Sequence, residues 1–169
     1  MSYKNENMKM IELHENGLDI RFRIRENGVV ELADFSSQEV KKAVMEPKDD
    51  ICYPAVEIHR SGTGSLNMHA YKNNINQSSV DFVYENHELK EQEGGKELEI
   101  VMVSPEKLKA VYHMRLFDGV PAVQTWTEII NEGSEDQGLT YVSSFVYQGI
   151  SRGGEKPYYK KTDIYVPFN

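Results

Sequence analysis

Leu18-Asp19-Ile20-Arg21-Phe22-Arg23-Ile24-Arg25 alternates apolar and charged residues without a break. Successive side chains of an extended chain point to opposite faces, so this stretch predicts a strand with one buried and one solvated side. Asn27-Gly28 follows, a dipeptide that tolerates positive φ and suits a two-residue hairpin, with Val29–Phe35 as the returning strand. The same parity recurs downstream. Val80, Phe82 and Tyr84 alternate with Asp81 and Glu85, and Leu98, Ile100 and Met102 with Glu97, Glu99 and Val101. Leu108, Ala110, Tyr112, Met114 and Leu116 alternate with Lys107, Lys109, His113 and Arg115, and Asp118-Gly119 then marks a second tight hairpin.

Val120–Asn131 carries apolar residues on both faces, which places it in the middle of a sandwich. Leu139, Tyr141, Phe145 and Tyr147 share a face of a strand over Leu139–Gly149, after a polar loop at Gly133–Gly138. Flexible loops are expected at Ser61–Ser65, Glu91–Lys96 and Ser151–Lys156, and Thr162, Ile164 and Val166 alternate as a terminal strand would. Helical signals are confined to Ser37–Met45, with Pro47 as a stop. Strands spaced by Gly, Asn and Asp turns predict an all-β fold, an antiparallel β-sandwich with at most one short helix. A chain of 169 residues predicts a single domain over 1–169.

Composition excludes several classes. The 27 acidic residues outweigh the 19 basic ones and leave a net charge of −8, which argues against nucleic-acid backbones and anionic lipid as partners. No apolar window is long enough to span a membrane. The polar start Met1–Asn7 has no apolar signal core, and a lone Cys52 offers neither a disulfide nor a multi-cysteine zinc site, so a cytoplasmic setting is expected.

Chemistry-bearing motifs are sparse. Glu57 and His59 share a predicted strand face, and His69 could approach across a hairpin to complete a three-ligand metal site. A polar strand rim explains them more simply, and neither metal nor cofactor is expected. Gly62-Thr63-Gly64 lacks the spacing and following helix of a phosphate loop, and there is no Gly-x-Ser-x-Gly elbow. Asp49-Asp50, beside Tyr53, is the acidic pair that stands out, although solvated loop carboxylates are common. Exposed tyrosines among Tyr71, Tyr84, Tyr158 and Tyr159 would suit a carbohydrate-binding, lectin-like module, the alternative reading of the chain.

Three stretches carry a resemblance: Tyr53-Pro54-Ala55-Val56-Glu57-Ile58, Leu116-Phe117-Asp118-Gly119-Val120, and Thr125-Trp126-Thr127-Glu128-Ile129-Ile130-Asn131-Glu132-Gly133. Together with Val142-Ser143-Ser144 they resemble the N-terminal domain of family 36 glycoside hydrolases, the α-galactosidases, where a strand runs into an Asn-x-Gly turn and the next ends near a Ser-Ser pair. Tyr165-Val166-Pro167-Phe168-Asn169 is similar to the family's Ile-Pro-His-Asn segment, with Phe168 in place of the histidine. The resemblance implies a β-supersandwich that packs on a catalytic (β/α)₈ barrel and carries no catalytic residue itself. Lys161-Thr162-Asp163 matches the letters of the barrel's nucleophile motif outside any barrel context, a coincidence. The resemblance further implies a homo-oligomer in which a loop of this domain meets an α-galactoside, with Asp49, Asp50 and Tyr53 as the substrate-binding candidates.

Overall fold

The computed structural model describes residues 9–37, 53–63 and 77–147. It is an all-β antiparallel structure. The strands are β1 (Lys9–Glu15), β2 (Leu18–Ile24), β3 (Val30–Ser37), β4 (Ile58–Arg60), β5 (Val83–Gln92), β6 (Gly95–Val103), β7 (Leu108–Phe117), β8 (Val120–Asn131) and β9 (Leu139–Val142), with a one-turn helix α1 (Gln77–Val80) before β5. They form a 3-stranded sheet β1-β2-β3, a 4-stranded sheet β5-β6-β7-β8, and a 2-stranded ribbon β4-β9.

The alternation read from the sequence builds the core. Ile20 and Phe22 of β2 are fully buried, as are Leu98 and Ile100 of β6 and Ala110 and Met114 of β7. All belong to one apolar cluster shared by the two larger sheets. At its centre the rings of Phe22 and Tyr112 meet edge to face, 5.7 Å apart. Burial lifts the Tyr112 phenol well above its ordinary pKa, partly opposed by the Thr125 side chain.

The two sheets are pinned at both ends of the β1-β2-β3 hairpins. At one end Asn16 (φ 50°) and Gly17 (φ 82°) form the two-residue β1–β2 turn. The Asn16 amide donates to the Phe117 carbonyl (2.8 Å) and its Oδ1 accepts from the Gly119 N–H (3.0 Å). At the other end Gly28 accepts from the Tyr84 N–H (2.8 Å), and a Cβ on it would lie 2.9 Å from Val83 Cβ.

Several expectations are corrected. Arg25 and Val29 still pair across the Asn27-Gly28 hairpin, so it closes over three residues, with Gly28 at φ 84° as the left-handed closing position. Residues 77–80 curl into α1 instead of extending, because the hydroxyls of Ser78 and Ser79 bond to the backbone of Ile58 and Arg60. Glu91–Lys96 is a tight hairpin, with Gln92 paired to Gly95 across Glu93-Gly94. β8 is an edge strand among the described residues, not a central one. Val123 and Ile129 lean on the core, while Ile130 on its other face is exposed. The strand expected over Leu139–Gly149 ends at Val142. The helix expected in Ser37–Met45 falls mostly outside the described residues, and the loop at Ser151–Lys156 and the strand around Thr162–Val166 fall wholly outside them. No helix among the described residues is long and apolar enough to cross a membrane.

Candidate functional site

Of the sugar-site candidates only Tyr53 lies within the described residues; Asp49 and Asp50 lie outside them. The Tyr53 N–H donates to Glu31 Oε1 (2.9 Å), a carboxylate that also pairs with Arg25 at 3.3 Å. Tyr53 is thus fastened by its backbone to the outer face of the 3-stranded sheet. Glu57 and His59 do meet, with His59 Nε2 3.0 Å from Glu57 Oε1, and Tyr141 tilts over the imidazole at 5.1 Å. His69, the third ligand of that arrangement, is outside the described residues, as are Tyr71, Tyr158 and Tyr159. Tyr84 is no open sugar platform: Lys9 Nζ sits 4.5 Å over its ring and its hydroxyl bonds to His87 Nδ1 at 2.7 Å.

Three of the motif stretches converge on Ser143. The Glu57 N–H donates to Ser143 Oγ (2.7 Å), the Ser143 N–H donates to the Glu57 carbonyl (2.8 Å), and Thr127 Oγ1 donates to the Ser143 carbonyl (2.9 Å). Segments 53–58, 125–133 and 142–144, distant in sequence, are thereby held at one point. The Asn131-Glu132-Gly133 turn closes through its own side chain, since Asn131 Oδ1 accepts from the Gly133 N–H at 3.0 Å. Glycine is required there because a Cβ would sit 2.7 Å from the Glu106 carbonyl oxygen. Leu139, Tyr141 and Phe145, within four residues of Ser143 in sequence, are all exposed large apolar residues. Phe145 stacks edge-on against Phe35 at 5.5 Å, and Tyr147 meets the same ring at 6.3 Å.

A second cluster occupies the outer face of the 4-stranded sheet, and the sequence reading passed over it. Glu99 of β6, His113 of β7 and Trp126 of β8 are direct cross-strand partners, one row across three strands. The indole and imidazole planes lie 5° from parallel with centroids 4.6 Å apart. Glu97 is diagonal to His113, and its Oε1 lies 2.8 Å from His113 Nδ1. Glu99 Oε1 lies 3.8 Å from the same nitrogen. Gln92 donates to the other Glu97 oxygen at 2.6 Å, and Lys90 holds the other Glu99 oxygen at 2.5 Å. That bond to Glu99 raises the Lys90 pKa against a smaller opposing effect of desolvation. Glu128 Oε2 is 3.9 Å from His113 Nε2, a buried nitrogen without a hydrogen-bond partner. Two carboxylates, an imidazole and a stacked indole on rigid strands can hold a cation or position a proton.

No protein-family model matches the chain, and no curated protein matches it.

Proposed function

We propose that this chain is a non-catalytic β-sandwich domain of an α-galactosidase-like retaining glycosidase, which packs on the enzyme's catalytic barrel and shapes one wall of its sugar pocket. The observation that carries the reading is the convergence on Ser143. Three of the stretches that resemble the family's N-terminal domain, around Glu57, Thr127 and Ser143, bond to one another. The exposed Leu139, Tyr141 and Phe145, close in sequence to Ser143, supply apolar side chains of the kind an interdomain contact covers.

Two measurements test this. The coding sequence is read past codon 169, and a continuation into a (β/α)₈ barrel is expected. The chain alone is then assayed against p-nitrophenyl α-galactoside, with no release expected until the barrel is supplied. Turnover by the isolated chain, or a coding sequence with no barrel, overturns the proposal.

A further inference from the structure

We propose that Glu97, Glu99 and His113 form a binding site for one divalent first-row cation of the Zn²⁺ or Mn²⁺ kind. The ligand atoms of the three residues lie within 4.8 Å of one another. Both carboxylates turn one oxygen toward His113 Nδ1, at 2.8 and 3.8 Å, while their remaining oxygens are engaged by Gln92 and Lys90. Oxygen and nitrogen ligands about 2.1 Å from a tetrahedral ion lie about 3.4 Å from one another, a spacing that the two observed distances bracket. The His113 Nδ1–H donates to Glu97 in the ion-free chain, and a divalent ion takes the place of that proton between the ring and the two carboxylate oxygens.

The second observation is the opposite pole of the ring. The His113 side chain is only 8% exposed, and its Nε2 is buried without a hydrogen-bond partner. With a metal on Nδ1, Nε2 carries the proton and faces the Glu128 carboxylate, 3.9 Å away. A ligating histidine with a carboxylate behind its other nitrogen is the usual outer-shell arrangement. Trp126 lies flat on the ring and fixes its plane. Glu97, Glu99 and Glu128 outnumber Lys90 and Arg115, the cross-strand partner of Glu97, so the cluster carries a negative excess that a divalent ion neutralises. A mixed imidazole and carboxylate set suits Zn²⁺ or Mn²⁺ better than Ca²⁺. This site is independent of the glycosidase reading.

Trp126 is the chain's one tryptophan, so its emission reports on the imidazole stacked against it. Titration of the whole chain with Zn²⁺ is expected to change that emission saturably, at one ion per chain, reversed by EDTA. Glu99→Gln and His113→Gln should each weaken binding by about 10- to 100-fold or more, and Glu128→Gln by about 10-fold. His59→Gln should leave the titration unchanged, which excludes binding at the Glu57–His59 pair. Should His113→Gln fail to fold, Glu99→Gln decides, since that side chain is 22% exposed and its fold is checked by circular dichroism. No saturable response to millimolar Zn²⁺ or Mn²⁺ overturns the site. So does an unchanged affinity in folded Glu99→Gln.

Discussion

Gly95 opens β6 at φ 156°, and a Cβ placed on it would collide with the Leu116 carbonyl oxygen of the neighbouring strand. Backbone, unlike a flexible side chain, cannot swing aside. Gly95→Ala is therefore expected to destabilise the chain by about 2 kcal/mol or more, read as a lowered urea midpoint. His87 sets a different expectation. Burial and the nearby Lys9 ammonium lower its pKa below the ordinary histidine value. The unfolded chain then binds the proton more readily than the folded one, so stability is complete above about pH 6.5 and declines as pH falls through the unfolded and then the folded value. Melting temperatures at pH 7.5 and 5.0 check this: His87→Gln should lose less than the parent on acidification. At this scale the sequence was least legible in the candidate site. Glu97, Glu99 and His113 read as ordinary polar alternates of two strands. Only the register that sets Glu99 against His113 and His113 against Trp126 makes a cluster of them, and alternation alone does not specify register.

Strands with one clean apolar face were read correctly: β2, β6 and β7 follow the alternation of their residues. Asp118-Gly119 likewise forms the expected two-residue turn, with Phe117 paired to Val120. β1 was missed although its signal was present, since Ile11 and Leu13 are buried and Asn16-Gly17 is the tighter hairpin. β8 misled because its second face is apolar for a local reason, the stacking of Trp126 on His113. The β1–β2 turn yields a prediction of its own. Asn16→Ala loses a residue that tolerates positive φ, together with both side-chain bonds to the β7–β8 turn. A loss of about 1–3 kcal/mol is expected by chemical denaturation, whereas Asn16→Gly should recover the φ component alone. At the junction of β4 and the β6–β7 turn, Arg60 bonds to Asp81 at 3.2 Å and Glu106 at 2.8 Å. Burial would raise the Glu106 pKa, but bonds from its own backbone, Arg60 and Ser104 hold it below the ordinary carboxylate value.

The whole molecule depends on the contact between its two larger sheets, since Phe22 and Tyr112 belong to one apolar cluster. Phe22→Ala should cost about 3–5 kcal/mol, a large share of the roughly 5–15 kcal/mol typical of a folded domain. Far-ultraviolet circular dichroism and Trp126 emission should then fall together in a single transition at lower temperature. That both sheets share one core was legible, because the buried parities of β2, β6 and β7 were; which strands would lie at the margins was not. In the 4-stranded sheet, β6 and β7 have neighbours on both sides, whereas among the described residues β5 and β8 are each paired on one side only. In heavy water the amides of Leu98, Ile100, Tyr112 and Met114 should therefore retain their protium longest, and the outward-facing amides of β5 and β8 should be the first in that sheet to be deuterated.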